Sequence, residues 1–392
     1  MQPTFLTSGS SYHTSLAFFF SFVWRVLPTT MAAAEHQHRF LSVMLLLLVF
    51  SSGIANGRSV IKTLPGFSGE LPFYLETGYV GVGENEEVQL FYYFVKSQRN
   101  PVFDPLMLWL SGGPGCSTLS AFFYENGPLT FNIQEYEGGL PNLYLKENTW
   151  TKSLNIIFVD APVGSGFSYS KTQEGYIMED LKYAAQTYEF LKKWLVDHPE
   201  FLKNELYIGG DSYSGIPVPM GYVLGNPLTD TDNDVNSRIP FAHRLTLISD
   251  ELYESAKTSC NGDYVTVNAS NEQCVADMEA IRDKRPLVRC NITNLAFTKD
   301  VTSTVAYHQN LTNTGLRALI YSGDHDMSIP HIGTQEWINS LNLTLEDPWR
   351  TWYTDGQVGG YTETFTNDDF DLTFATGAGH VAIEYKPRSV MP

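Results

Sequence analysis

The chain has 392 residues, 43% of them apolar and 14% aromatic, and a formal net charge of -18 at pH 7. That length and apolar content suffice for one large core or two smaller ones. The acidic balance excludes the phosphate backbone of nucleic acid as a partner, and the absence of fixed-period repeats, heptads and low-complexity blocks excludes a solenoid or a fibre.

The first elements are two apolar stretches, SLAFFFSFVWRVL (15–27) and FLSVMLLLLVF (40–50). The second is preceded by Arg39 and followed by the small residues of SSGIANG. A basic flank, a short apolar run and a small-x-small end predict a signal peptide cleaved near Ala55–Gly57. The run falls short of the roughly 20 residues that span a membrane, so no stable anchor is expected after cleavage. Met31 offers a start for this signal, which leaves residues 1–30 as an upstream extension.

Strands are expected at VQLFYYFV (88–95), LMLWL (ending at Leu110), LNIIFVD (154–160), ELYIG (205–209), GYVLG (221–225) and RALIYSG (317–323). DLTFAT (371–376) follows a hairpin around Tyr361–Asp369. Residues 179–199 repeat apolar side chains at three and four (Leu181, Ala184, Ala185, Tyr188, Leu191, Trp194, Leu195), which predicts a helix closed by Pro199. Strand, helix and strand alternate through the middle of the chain, so the fold class is α/β with a mainly parallel sheet.

Gly210-Asp211-Ser212-Tyr213-Ser214 follows the fourth of these strands, with a further glycine at Gly215. A serine on a tight turn among small residues is the nucleophile elbow of an α/β-hydrolase, whose pattern is G-x-S-x-G. IYSGDHDMSIP (320–330) places acids just past a strand, and ATGAGHVAIEY (375–385) places His380 in a glycine-bearing loop past another. Ser, Asp, His is the α/β-hydrolase chain order. His380 takes the Ser212 proton and the acid holds its tautomer. Asp326 is preferred to Asp324 because it lies farther into the loop. The glycine-rich turn of LMLWLSGGPGCS nominates the backbone N–H of Gly113 as an oxyanion donor, with Tyr213, after the nucleophile, as the second. No lysine stands where a phosphate-binding loop requires one.

WLSGGPGCS, GDSYSG, YSGDHDMSIP, and GAGH followed by EYKP together resemble the serine carboxypeptidase family, close to its plant serine carboxypeptidase-like branch, from about Ile61 to Pro387. The resemblance implies an α/β-hydrolase fold with an inserted cap, in secreted or vacuolar glycoproteins. Residues 58–392 are then a single such domain, with a reduced cap around 236–300. It carries over Ser212, Asp326 and His380 as the triad. It pairs Cys116 with Cys290 and Cys260 with Cys274. Sequons at Asn268, Asn291, Asn310 and Asn342 are the expected glycosylation sites. No cofactor is expected, and the histidines show no metal-ligand spacing with the cysteines.

In family peptidases an asparagine and two glutamates hold the substrate's terminal carboxylate; here those positions are Ser111, Asp211 and Glu125. Ser111 lacks the amide donor and Asp211 is one methylene shorter. The GDSYSG form is instead similar to family acyltransferases, which pass an acyl group from a glucose ester to an acceptor. The expected function is thus serine-based acyl transfer from a small-molecule donor to a small-molecule acceptor. The alternatives are a carboxypeptidase acting on a peptide C-terminus and a truncated, inactive isoform. The last arises because most of the helix after the nucleophile is missing between Ser212 and Gly221, a long cap segment is missing between Glu279 and Arg289, the loop before His380 is about two residues short, and the helix that normally follows the histidine is absent.

Overall fold

β-Branched and aromatic runs build the sheet, and their burial decides where each lies in it. A computed structural model describes residues 58–131, 136, 138–219, 222–282, 295–354 and 356–380. The expected signal peptide, Cys290, Asn291 and the shortened cap junction lie outside the described residues. The main sheet has twelve strands: β1 (Ser59–Ile61), β2 (Leu75–Val82), β3 (Val88–Val95), β4 (Leu106–Leu110), β5 (Asn155–Val159), β6 (Tyr169–Ser170), β7 (Leu206–Asp211), β8 (Tyr222–Gly225), β9 (Arg317–Ser322), β10 (Thr344–Thr354), β11 (Gln357–Asn367) and β12 (Phe370–Thr376). Its order is β1-β2-β3-β5-β4-β7-β8-β9-β12-β11-β10, with β6 beside β3. The six strands from β5 to β12 are parallel, and the flanking ones are antiparallel. LMLWL and NIIFV are buried at every position. Unbroken apolar runs are what a parallel strand covered on both faces requires.

The helices are α1 (Leu119–Tyr124), α2 (Asp180–Asp197), α3 (Thr231–Asn236), α4 (Arg238–Arg244), α5 (Asp250–Ser259), α6 (Glu272–Arg282), α7 (Val305–Leu311) and α8 (His331–Ser340). One sheet face packs Leu108, Ile157, Leu224 and Ile320 against Trp194 and Trp337. The other joins Met107, Trp109, Phe122, Trp150, Phe158 and Tyr321. A separate cluster, including Ile239, Ala242, Ala256 and Met278, holds α4, α5 and α6 together. The Cys260–Cys274 disulfide fastens it.

The expected helix at 179–199 is α2, but its buried side differs from the one read from the apolar spacing. Tyr183, Gln186, Thr187, Phe190, Leu191 and Trp194 face the sheet. Leu181 and Tyr188 are exposed. The Thr187 hydroxyl is satisfied by the Tyr183 carbonyl, while Tyr183 and Gln186 are carried inside by their apolar bulk and leave the Tyr183 hydroxyl and the Gln186 amide nitrogen without a partner. Two long strands escaped the sequence reading. β2 is interrupted by Gly78 and Gly81, and β10 carries Asp347-Pro348 with three register shifts against β11, features that disguise a strand and suit an edge.

The end of α2 is tied to β2 by a buried ionisable cluster. Glu76 accepts from Tyr74 Oη at 2.6 Å, Tyr92 Oη at 2.7 Å and His198 Nε2 at 2.8 Å. Burial alone would raise the Glu76 pKa, but these hydrogen bonds and the His198 charge outweigh it and lower it to about 2. A depressed carboxyl stabilises the fold above its unfolded value of about 4.5, and that stability drains away as pH falls toward 2. The expected result is that acid melting curves of wild type lose about 3 kcal/mol across this window through Glu76, whereas Glu76→Gln is less stable at pH 6 and flatter below pH 4.5. Parallel curves for the two proteins would reject this assignment.

Candidate active site

The carboxyl ends of β7, β8, β9 and β12 deliver the site. β7 ends at Asp211, and Ser212 follows at φ 54°, in the left-handed region that serine rarely enters. A single 3₁₀ turn over Ser212–Gly215 replaces a full helix. Gly112, after β4, lies so close to this elbow that a β-carbon there would stand 2.6 Å from Ser212 Cβ and 2.9 Å from Tyr213 N. The 111–116 turn, with Gly113 at φ 114°, therefore borders the serine on the side of the Tyr213 amide. These are the two segments nominated for the oxyanion.

The short connection to β8 is possible because little sheet has to be retraced. Tyr222 stands opposite Ile208, and Gly225 opposite Asp211. The chain thus returns by only three residues of strand, about 10 Å at 3.3 Å per residue. Local bonds take over the missing helix's support. The Ser212 carbonyl accepts from Leu228 N at 2.9 Å and the Ser214 carbonyl from Val218 N at 3.1 Å. Ser214, which stands where the general pattern has glycine, donates Oγ–H to the Asp211 carbonyl at 2.7 Å. Thr304 Oγ1 donates to the Gly215 carbonyl at 3.3 Å. Tyr213 Oη donates to Asp180 Oδ1 at 2.6 Å. Asp180 in turn accepts from the amides of Asp300 and Val301.

His380 Nε2 lies 3.1 Å from Ser212 Oγ, and its Nδ1 lies 2.7 Å from Asp326 Oδ2. Burial would depress the His380 pKa, but the hydrogen bond and charge of Asp326 raise it overall. Asp326 is buried. It also accepts from Ser328 N, Ile329 N and Asn226 Nδ2, the last at 2.7 Å. Asp324, the rejected acid, instead accepts from Ala378 N at 3.1 Å and so shapes the loop that carries His380.

Ser111, Glu125 and Asp211 are all buried. Burial pushes the Asp211 carboxyl up to about 6, against the opposing pull of His380 and of the Gly112 amide. Cys116 is disulfide-bonded, and its expected partner, Cys290, lies outside the described residues. The sequon asparagines Asn268, Asn310 and Asn342 are exposed. Among the described residues no cluster of His, Cys, Asp and Glu fits a metal ion, and no helix is long and apolar enough to cross a membrane.

Two residues of the site escaped the sequence reading. Asp180 opens α2, where an acid reads as an ordinary helix start. Asn226 directly follows β8 with φ 43°, and a polar residue that tolerates left-handed backbone at a strand's carboxyl end is the signal that was available. Asn226→Ala removes the shortest side-chain donor to Asp326 apart from the His380 pair. The expected result is a roughly tenfold fall in kcat, the lower end of what supporting residues cost, with labelling of Ser212 by a fluorophosphonate slowed in step. An unchanged labelling rate would show that Asn226 does not position the acid.

The serine carboxypeptidase family model matches residues 65–304 and 283–391. Serine carboxypeptidase-like 13 of Arabidopsis thaliana is 42% identical over 412 residues, covering 88% of this chain and 95% of that protein. Serine carboxypeptidase-like 17 of the same plant is 45% identical, covering 87% and 93%. Since 88% of 392 residues is about 345, some 67 of the 412 aligned positions belong to the relative alone; internal segments are missing here, as expected. Kex1(delta)p, a prohormone-processing carboxypeptidase from Saccharomyces cerevisiae, superposes with a TM-score of 0.63 at 16% identity, covering 83% of this chain and 92% of that one. The fold is that of an α/β-hydrolase, and the chain belongs to the serine carboxypeptidase family.

Proposed function

We propose that this protein is a serine acyltransferase that takes an acyl group from a glucose ester and passes it to a hydroxyl acceptor. The relay from Ser212 through His380 to Asp326, kept at hydrogen-bonding distances despite the shortened crossover, supports serine-based acyl transfer; Ser111 and Asp211, standing where family peptidases have an asparagine and a glutamate, favour the glucose ester over a peptide. Ser212 Oγ bonds to the ester carbonyl carbon while His380 Nε2 takes its proton. The negative charge on the carbonyl oxygen is met by the amides of Gly113 and Tyr213. The bond from the acyl carbon to the sugar oxygen breaks, and that oxygen receives the proton from His380. The acceptor hydroxyl then gives its proton to His380, attacks the acyl-enzyme and releases Ser212, which recovers the proton. The secretory pathway, ending outside the cell or in the vacuole, is the proposed location, with glycans on the exposed sequons.

Carboxypeptidase action is the second reading, favoured by Glu125 and by an Asp211 that keeps its proton up to about pH 6. Below that pH a protonated Asp211 donates to a peptide carboxylate; above it, two anions repel. Fluorophosphonate labelling of wild type and Ser212→Ala, read by intact mass, tests the nucleophile. Glucose-ester and peptide turnover between pH 5 and 8 then separates the readings. Transfer from the glucose ester is the expected result. Peptide hydrolysis whose KM climbs through pH 6 would instead support the peptidase, and a folded protein that ignores the phosphonate would make the chain inactive.

A further inference from the structure

Three buried polar side chains stand in one row at the carboxyl edge of the sheet. Asp211 is opposite Gly225, and Gly225 is opposite Tyr321. Ser111 follows Leu110, which is opposite Gly210, so it extends the row beyond β4. Residues opposite one another on neighbouring strands project from the same face of a sheet. Gly225 projects nothing, and the phenol of Tyr321 uses the space. A β-carbon at Gly225 would stand 2.0 Å from Tyr321 Oη and 2.2 Å from its Cζ. The tyrosine therefore leans over β8 toward Asp211.

Tyr321 Oη, Ser111 Oγ and Asp211 Oδ1 are all buried without a hydrogen-bond partner. Other buried side chains also lack a partner, Trp109 Nε1 and Trp337 Nε1 among them, but these three share one row that ends beside the nucleophile, where a ligand can satisfy them. Burial and the charges of Asp211 and Glu125 all push the Tyr321 pKa upward, so its hydroxyl keeps its proton and remains a donor.

We infer that Tyr321 determines donor specificity: with Ser111 and Asp211 it hydrogen-bonds the hydroxyls of the sugar that leaves when Ser212 is acylated. The assignment rests on the glucose-ester reading above. The row supplies a donor in Tyr321, a donor and acceptor in Ser111, and an acceptor in ionised Asp211. Sugar hydroxyls donate and accept at once, so they match this set whichever way Asp211 is charged. A carboxylate is repelled whenever Asp211 is ionised. In a glucose ester of an aromatic acid the sugar is the polar half, and it is the half that a polar row selects.

The test is Tyr321→Phe, which keeps the ring over Gly225 and removes only the hydroxyl. Wild type and variant are compared on the glucose ester and the methyl ester of one aromatic acid, and in fluorophosphonate labelling. Losing one buried hydrogen bond to the sugar is expected to lower kcat/KM for the glucose ester about 10- to 100-fold, mostly through KM. The methyl ester and the labelling rate should change by less than about twofold, since neither involves a sugar. Equal losses on both esters would overturn the assignment and make Tyr321 a support of the triad. An undiminished glucose-ester rate would show that it does not touch the sugar. A wild type that consumes the methyl ester but ignores the glucose ester would overturn the donor reading itself, and this inference with it.

Discussion

Asp326→Asn is expected to lower kcat for acyl transfer by about 10⁴. Every group facing this side chain is a donor: His380 Nδ1, Asn226 Nδ2, Ser328 N and Ile329 N. Only a carboxylate accepts from all four. An asparagine must turn its amide nitrogen either toward the three that face Oδ2 (His380, Asn226 and Ile329) or toward the one that faces Oδ1 (Ser328), whichever way it flips. If the nitrogen faces His380, the imidazole moves its proton to Nε2 and no longer accepts from Ser212. If it faces Ser328, the tautomer survives, but the charge that steadies the imidazolium is gone. Turnover at pH 7 and the rate of phosphonate labelling, measured beside melting temperatures, check this. A correctly folded variant within tenfold of wild type would remove Asp326 from the triad in favour of another acid.

The second large effect is expected at a residue that never touches substrate. Asp180→Ala leaves the buried Tyr213 Oη and the partly buried amides of Asp300 and Val301 without their acceptor. It also removes the acid from the first turn of α2, where it faces the positive end of an 18-residue helix. A buried donor left unpaired costs about 1–3 kcal/mol; the Tyr213 hydroxyl is buried and the two amides partly so, and urea denaturation should register the loss. In the mechanism proposed above the Tyr213 amide is an oxyanion donor, so releasing its ring loosens that donor as well. Displacing or losing one such donor costs about 10²–10³ in kcat. In family members with a full helix behind the elbow this anchor has help; here the elbow has one 3₁₀ turn. Tyr213→Phe separates the two effects, because it frees the ring while Asp180 keeps its backbone partners. It should lose activity with little loss of stability. A fully active Asp180→Ala protein would show that the local bonds of residues 212–218 suffice.

How much of this was legible in the sequence differs between site and scaffold. Ser212, Asp326 and His380 were readable because each sits in a loop just past an apolar run, in an order that one fold uses. Asn226 offered only the weak signal of a polar residue at a strand's carboxyl end, and Tyr321 offered none, because their importance comes from what lies across the strands. Tyr321 is part of an ordinary strand pattern until Gly225 and Asp211 are seen beside it. The helix at 180–197 was found from its period, but its buried face was misjudged by counting only apolar side chains. Tyr183, Gln186 and Thr187 are buried because of their neighbours, which no local pattern records.

The sequence by itself determined the α/β class, the central parallel strands and the family, and it nominated the three residues that the structure brings to hydrogen-bonding distance. Those follow from local chemistry: runs that must be buried on both faces, glycine turns that hold a serine, and polar residues at strand ends. Whether the elbow could stand without its helix was decided only by the tertiary structure. β8 pairs with β7 over four residues, so the chain needs to retreat by only three, and Asp180, Thr304 and Leu228 reach the turn from elements distant in the sequence. Register and long-range hydrogen bonds set those distances, and neither is written in the order of residues around Ser212.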